Sequence, residues 1–156
     1  MKFFAFIAIF LIAVSAQAAG TIGVGVSSNK NIDNVGVSIL TGVQSCIDSS
    51  RQIYLRSEFE KVNWGNGYNL DNIGLKTIIY YDLPFWGTVN EPLKFGVHFT
   101  GTYQTQTSDL GAAFGGEFYK CFWKNTVGAY FSADIASVPN VDDYFIFGTG
   151  LILGKF

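Results

Sequence analysis

His98 is the single histidine of this 156-residue chain, so a general base of the imidazole type would have to be this residue. Glu117 is the carboxylate that could orient its ring, and Thr100 and Ser132 carry the hydroxyls available as nucleophiles. His98 and Glu117 are therefore the catalytic candidates, and hydrolysis is the chemistry they would serve. The alternative is that His98 belongs to a structural network of polar groups, which is the commoner setting of a lone interior histidine.

A second pattern joins the same two residues to other charged side chains. Counted along successive predicted strands, five of them come out at similar depth on one face: Arg56, Glu58, Lys76, His98 and Glu117. Charges in a narrow interior must pair, because an isolated buried charge is costly to desolvate. We predict an ion network that fills and seals the interior, with the gate of a narrow pore as the alternative.

The cysteines and the possible metal ligands give fewer indications of a functional site than the charged residues do. Cys46 and Cys121 are a candidate disulfide, with two free buried thiols as the alternative. Two cysteines and one distant histidine lack the spacing of a metal site, so we predict no metal and no cofactor.

The elements that must position these residues are strands. The run "LKFGVHFTGTYQ" alternates between two faces of opposite chemistry, which is typical of a half-buried strand. One face carries Leu93, Phe95, Val97, Phe99, Gly101 and Tyr103. The other face carries Lys94, Gly96, His98, Thr100, Thr102 and Gln104.

Similar alternation recurs about eight times, separated by segments rich in Gly, Asn, Asp, Ser and Pro. The predicted reversals are residues 27–34, 46–50, 63–71, 82–92, 105–109, 121–124 and 138–143. Eight strands joined in this way make an all-β antiparallel meander, and eight is a number at which such a sheet closes into a small barrel. We predict a closed eight-stranded up-and-down barrel over residues 19–156.

Residues 1–18 have the pattern of a cleavable export signal. Lys2 precedes an apolar core from Phe3 to Val14, and Ala16 and Ala18 form a small-residue cleavage motif. The apolar core is too short for a helix that crosses a bilayer, which needs about 20 residues. The mature chain is therefore expected to leave the cytoplasm.

Composition indicates which barrel face meets solvent. Charged residues make up 14% of the chain and aromatic residues 17%, and the formal net charge is −2. The balance offers no basic surface for nucleic acid. The polar face is mostly Gly, Ser, Thr and Tyr, a poor exterior for a soluble barrel, and aromatic residues such as Tyr81 and Phe122 lie at predicted strand ends. These features favour a transmembrane barrel with its apolar face in lipid over a soluble barrel of the lipocalin type.

The signal, the alternating strands and the terminal Phe156 together resemble the small outer-membrane β-barrel proteins of diderm bacteria, the class of the OmpA-type and OmpX-type barrels. That resemblance implies an outer-membrane location and, as partners, outer-membrane lipids including lipopolysaccharide and the barrel-assembly machinery. It also implies an assembly signal in the last strand, at Tyr144, Ile146, Gly148, Gly150, Ile152 and Phe156.

Within that class, the lipid A deacylases carry a serine two residues after the histidine, where this chain has Thr100 in "HFT". The acyltransferases place polar residues near the outer loops, where this chain has no histidine. The predicted function is therefore a non-enzymatic barrel with a structural or interaction role in the envelope. A lipid A hydrolase or acyltransferase centred on His98, or a narrow gated pore, is the alternative.

Overall fold

The structure is a computed structural model that describes residues 18–29, 32–65, 68–88, 91–122, 126–139 and 143–154. These residues form eight strands and no helix. The strands are β1 Ala18–Asn29, β2 Ile32–Asp48, β3 Ile53–Gly65, β4 Tyr68–Thr88, β5 Glu91–Gln104, β6 Leu110–Phe122, β7 Val127–Ser137 and β8 Tyr144–Leu153. Accordingly, the described part of the chain contains no helix long and apolar enough to cross a membrane.

Each strand pairs antiparallel with the next, and β8 pairs with β1, so the sheet is a closed barrel. The closing pair runs from Gly20 opposite Leu153 to Asn29 opposite Tyr144. Closure leaves no unpaired sheet edge. The predicted fold class, a closed eight-stranded antiparallel barrel, is confirmed.

Alternation assigns the two faces correctly on the strands where the faces differ in chemistry. On β5, His98 and Thr100 are buried inside the barrel and Phe99 between them is exposed. On β3, Arg56 and Glu58 point inward. The interior surface of the barrel, called the lumen here, therefore carries the polar face, and the outer wall carries the apolar one.

Three predicted reversals were too long. Of residues 27–34, residues 27–29 belong to β1 and 32–34 to β2, and of residues 63–71, residues 63–65 belong to β3 and 68–71 to β4. Residues 82–92 were expected to leave the sheet, but β4 continues to Thr88 and β5 begins at Glu91. The pairing skips from Leu83 opposite Leu93 to Gly87 opposite Pro92. A bulge accommodates the extra residues within the ladder, so the Gly and Pro content marks an irregular strand end rather than a loop.

The turn between β2 and β3 shows how a short reversal is fixed. Asp48 accepts hydrogen bonds from the backbone N–H of Ser50 at 3.0 Å, from the Ser50 hydroxyl at 2.6 Å and from the backbone N–H of Arg51 at 3.2 Å. These bonds, that of the Ser50 hydroxyl first, lower the pKa of the Asp48 carboxyl. Gln52 completes the turn at a φ of 53°, in the left-handed region.

Candidate functional site

The lumen contains all the charged residues that the sequence pattern grouped. Arg56 and Glu58 lie on β3, Lys76 on β4, His98 on β5 and Glu117 on β6, and each side chain is almost wholly buried. Arg56 is 0% exposed and Glu117 1%. Burial this complete requires that each charge find a partner inside the barrel.

Arg56 finds its partner across the lumen. Its Nη2 donates to Oε1 of Glu117 at 2.7 Å and its Nη1 donates to Oε2 at 2.9 Å, so the pair is bidentate. The Tyr80 hydroxyl donates to the same Glu117 Oε1 and accepts from Nη2 of Arg56 at 3.2 Å. A planar guanidinium matches a carboxylate in this geometry, which fixes both side chains.

The remaining contacts of Arg56 reach other walls of the barrel. Its Nε donates to Oε1 of Gln44 on β2 at 2.8 Å. Its guanidinium carbon lies 4.6 Å from the centre of the Tyr130 ring on β7, within the range of a cation–π contact. Since β7 lies four strands from β3 in the eight-stranded barrel, this one side chain spans the lumen.

Lys76 forms the second charged level. Its Nζ lies 3.4 Å from Oε2 of Glu58 and 3.9 Å from Oδ1 of Asp134. Glu58 in turn lies 3.3 Å from Nη1 of Arg56, which joins the two levels. Asp134 was not among the five residues that the sequence pattern grouped. Its depth depends on the stagger of β7, which alternation does not show.

The catalytic hypothesis required His98 to pair with Glu117, but the two side chains are not paired in the structure. Nδ1 of His98 lies 3.2 Å from Oδ1 of Asp134, without the alignment of a hydrogen bond, and Glu117 is bonded to Arg56 and Tyr80 instead. The His98 side chain is fully buried in the lumen. It therefore has no contact with the outer wall, where a lipid would lie if the barrel spans a membrane.

Apolar clusters occupy both ends of the lumen. At the end that holds the β2–β3 turn, the cluster consists of Ala19, Ile78, Tyr80, Tyr119, Cys121, Tyr130 and Ile152, with Tyr54 packed against it. At the opposite end, the cluster consists of Val62, Leu70, Ala113, Ala136, Val138, Tyr144 and Ile146. The charged levels lie between these two apolar plugs.

Glycines on the inner face give the tyrosines of the first plug their space. A Cβ added at Gly128 would overlap the Tyr119 ring, and one added at Gly23 would lie 2.5 Å from the Tyr130 hydroxyl. The rings of Tyr80 and Tyr119 have centres 5.4 Å apart, and those of Tyr54 and Tyr80 5.3 Å. Large rings opposite bare backbone fill a narrow interior.

The candidate disulfide is not formed. Cys46 and Cys121 are both free, the first partly exposed and the second buried. The Cys121 thiol donates to the carbonyls of Phe122 and Val127, each at 3.6 Å. Cys121 belongs to the first plug, and Cys46 is paired across the β2–β3 ladder with Tyr54, which packs against that plug.

The described residues of the predicted assembly signal share one face of β8. Tyr144, Ile146 and Ile152 face the lumen, whereas their neighbours Phe145 and Leu151 are exposed on the outer wall. Gly148 shares the inward phase of the first three. Phe156 lies outside the described residues, as do residues 1–17 of the predicted export signal, so the assembly role and the cleavage site stay predictions.

No group of three or more His, Cys, Asp and Glu side chains in the described ranges is arranged to hold a metal ion. Comparison of the chain with models of protein families, with curated proteins and with solved structures gave no match. The function must therefore be argued from the geometry of the barrel alone.

Proposed function

We propose that this chain is a small integral barrel of a bacterial outer membrane, with a sealed lumen and a non-enzymatic role in envelope structure or interactions. The proposal rests on the chemistry of the two barrel faces, which is the reverse of that expected for a soluble barrel. Charged side chains are buried inside, and large apolar side chains are exposed outside on all eight strands.

The outer wall supports a lipid environment. Its exposed apolar residues include Val24, Val37, Phe59, Ile79, Phe99, Phe114, Phe131 and Phe147, one from each strand. Soluble monomers rarely expose contiguous apolar patches larger than a few hundred Å². A wall of this kind around the whole barrel is the surface that a bilayer covers.

The order of the apolar plugs and the charged levels along the barrel supports a sealed lumen. An ion entering from either end would first meet an apolar plug and then the bidentate pair of Arg56 and Glu117 or the Lys76 level. Small eight-stranded barrels have interiors just wide enough for side chains. No observation on the described residues favours the alternative of a narrow pore over a filled interior.

A catalytic role receives no support from the geometry. His98 is enclosed, and its neighbour Asp134 also lies beside Lys76, so neither faces the outer wall. A lipid-modifying enzyme needs its base within hydrogen-bond reach of a lipid group. The proposed partners are therefore those of a membrane scaffold: outer-membrane lipids including lipopolysaccharide, and the barrel-assembly machinery during insertion.

The proposal is tested first by location and then by conductance. The protein should fractionate with outer membranes and migrate differently on SDS gels before and after boiling, because a closed barrel resists SDS until heated. In planar bilayers the wild type should show no conductance steps, since both plugs block the lumen. Recovery in the soluble fraction would contradict the membrane assignment, and stable conductance steps would contradict the sealed lumen.

The enzymatic alternative has its own test. Lipid A from cells that express the wild type and from cells that express His98→Ala should give the same mass spectrum. A difference that depends on His98 would contradict the non-enzymatic role while leaving the barrel assignment intact.

A further inference from the structure

A groove crosses the outer wall of the barrel over four neighbouring strands. Its floor is a row of paired residues with small side chains at the centre. Val97 on β5 is paired with Gly116 on β6, and Gly116 is paired with Ala133 on β7. Phe147 on β8, the partner of Ala133, ends the row. The groove above this row is called the furrow here.

Larger side chains form the two banks of the furrow. On one side, the rings of Phe95 and Phe118 pack together with their centres 5.2 Å apart. The Phe95 ring leans over the floor, since a Cβ added at Gly116 would lie 3.1 Å from its Cζ atom. On the other side lie Phe114 and Ile135, which are paired with each other and are both exposed. Small residues between two bulky rows thus create a furrow in the wall.

The furrow suits a slender, apolar occupant. Its volume is about 420 Å³, within the range of about 300–1,000 Å³ that is typical of ligand pockets. Asp134 also borders it, but the carboxylate of Asp134 lies beside Lys76 and His98 inside the lumen. In a bilayer, lipid chains are as apolar as the wall, so association there depends on van der Waals packing. An acyl chain between the two banks makes more contacts than one on a flat stretch of wall.

Lys120 places a positive charge on the same side of the barrel. The strands β6, β7 and β8 contain three charged residues, and two of them, Glu117 and Asp134, are buried in the lumen. Lys120 faces outward, because both of its neighbours on β6 are buried. It lies about 13 Å along the strand from Gly116, towards the end of the barrel that holds the first plug. Lysines near the ends of membrane segments extend to the interface, where lipid phosphates lie.

We propose that the furrow and Lys120 together bind one anionic glycerophospholipid, such as phosphatidylglycerol. One acyl chain would lie over Gly116 and Ala133, and the phosphate would accept a hydrogen bond from Nζ of Lys120. The furrow supplies the shape, and the charge of Lys120 favours an anionic headgroup over a zwitterionic one. This inference rests on the proposed membrane location and adds a defined lipid site to it.

The test is native mass spectrometry of the purified full-length protein, released from detergent micelles after titration with phosphatidylglycerol or with phosphatidylcholine. The wild type should retain one phosphatidylglycerol more tightly than it retains phosphatidylcholine. Ala133→Phe fills the floor of the furrow and should abolish this preferred site. Ala112→Phe, the same change at an outward position of β6 outside the furrow, should keep it.

A second pair of variants tests the charge. Lys120→Gln should weaken the binding of phosphatidylglycerol about tenfold, the effect of losing one hydrogen bond to a charged group. Lys61→Gln removes an outward lysine from β3, away from the furrow, and should leave the binding unchanged. Each changed side chain faces outward, so every variant should keep its heat-modifiable migration on SDS gels.

Three outcomes would overturn the proposal. Equal binding by Ala133→Phe and Ala112→Phe would mean that the furrow holds no particular lipid chain. Unchanged binding by Lys120→Gln would mean that its ammonium does not hold the phosphate. A dimer of the wild type that Ala133→Phe abolishes would mean that a second copy of the chain covers the furrow. All three can occur in a barrel that still fractionates with outer membranes, so failure of the lipid site and failure of the proposed function can be told apart.

Discussion

Arg56 on β3 and Glu117 on β6 are joined across the lumen by two parallel hydrogen bonds of 2.7 and 2.9 Å. Removal of one partner leaves a buried charge without its main counter-charge, which typically costs about 3–5 kcal/mol. Glu117→Gln should therefore lower the free energy of unfolding by about 3 kcal/mol, near the lower limit, because Glu58 stays 3.3 Å from Arg56. Urea unfolding in detergent micelles measures the loss.

Two further variants serve as comparisons. One replaces both charges of the pair with apolar side chains, and the other removes an exposed charge. Replacement of both partners by apolar residues, as Arg56→Met with Glu117→Leu, should restore much of the lost stability, because neither member of the pair is left as an unpaired charge and Glu58 keeps its contact with Lys76. Arg51→Ala should change nothing measurable, since Arg51 is 79% exposed and lies 3.7 Å from Asp48 at a turn. If Glu117→Gln were as mild as Arg51→Ala, the central role of the pair would be wrong.

Glycine packing predicts a contrast between two positions in the wall. A Cβ at Gly42 would overlap the backbone oxygen of Ser57, whereas a Cβ at Gly101 would meet no atom within 4 Å. A backbone atom cannot move aside as a flexible side chain can. Gly42→Ala should therefore cost about 3 kcal/mol, the upper end of common overpacking penalties.

Gly101→Ala is the matched control and should stay within about 0.5 kcal/mol of the wild type. Both changes are read from the same urea unfolding curves. Similar losses at the two positions would mean that β2 and β3 do not approach as closely as the structure has them.

The outer wall gives a prediction that distinguishes a lipid-facing surface from a water-facing one. Phe114 is 63% exposed and sits between Phe99 on β5 and Ile135 on β7. In a bilayer, Phe114→Arg should cost about 2–4 kcal/mol if the residue lies near the midplane. Unfolding from lipid vesicles measures this cost, and Gln106→Arg in the exposed β5–β6 turn should leave the stability unchanged. A neutral or favourable effect of Phe114→Arg in vesicles would contradict lipid contact.

The sequence predicts the faces of a strand only where they differ in chemistry. On β5 the polar phase that contains His98 and the apolar phase that contains Phe99 are distinct, and the structure keeps them apart. On β8 both phases are apolar, so alternation could not show that Ile146 lies inside and Phe147 outside. The inward phase there is set by pairing with β1 and β7.

The level of a side chain along the barrel was harder to predict than whether the side chain faces inward or outward. Asp134 was not among the grouped residues, because its contacts with Lys76 and His98 depend on the stagger between strands that are distant in sequence. The partner of Glu117 was misjudged for the same reason. A strand pattern places a residue on a face, and only the register of all eight strands places it at a level.

The two cysteines give a last prediction, because their thiols differ in exposure while neither is bonded to the other. Cys46 is partly exposed and Cys121 is buried among the tyrosines of the first plug. Maleimide should label Cys46 in the folded barrel and reach Cys121 only after boiling in SDS, since labelling requires access to the thiolate. Cys46→Ser and Cys121→Ser variants assign each label. If no thiol of the wild type reacted after boiling until a reductant was added, the cysteines would be paired, and the arrangement around Tyr54 and Tyr119 would have to differ from the structure.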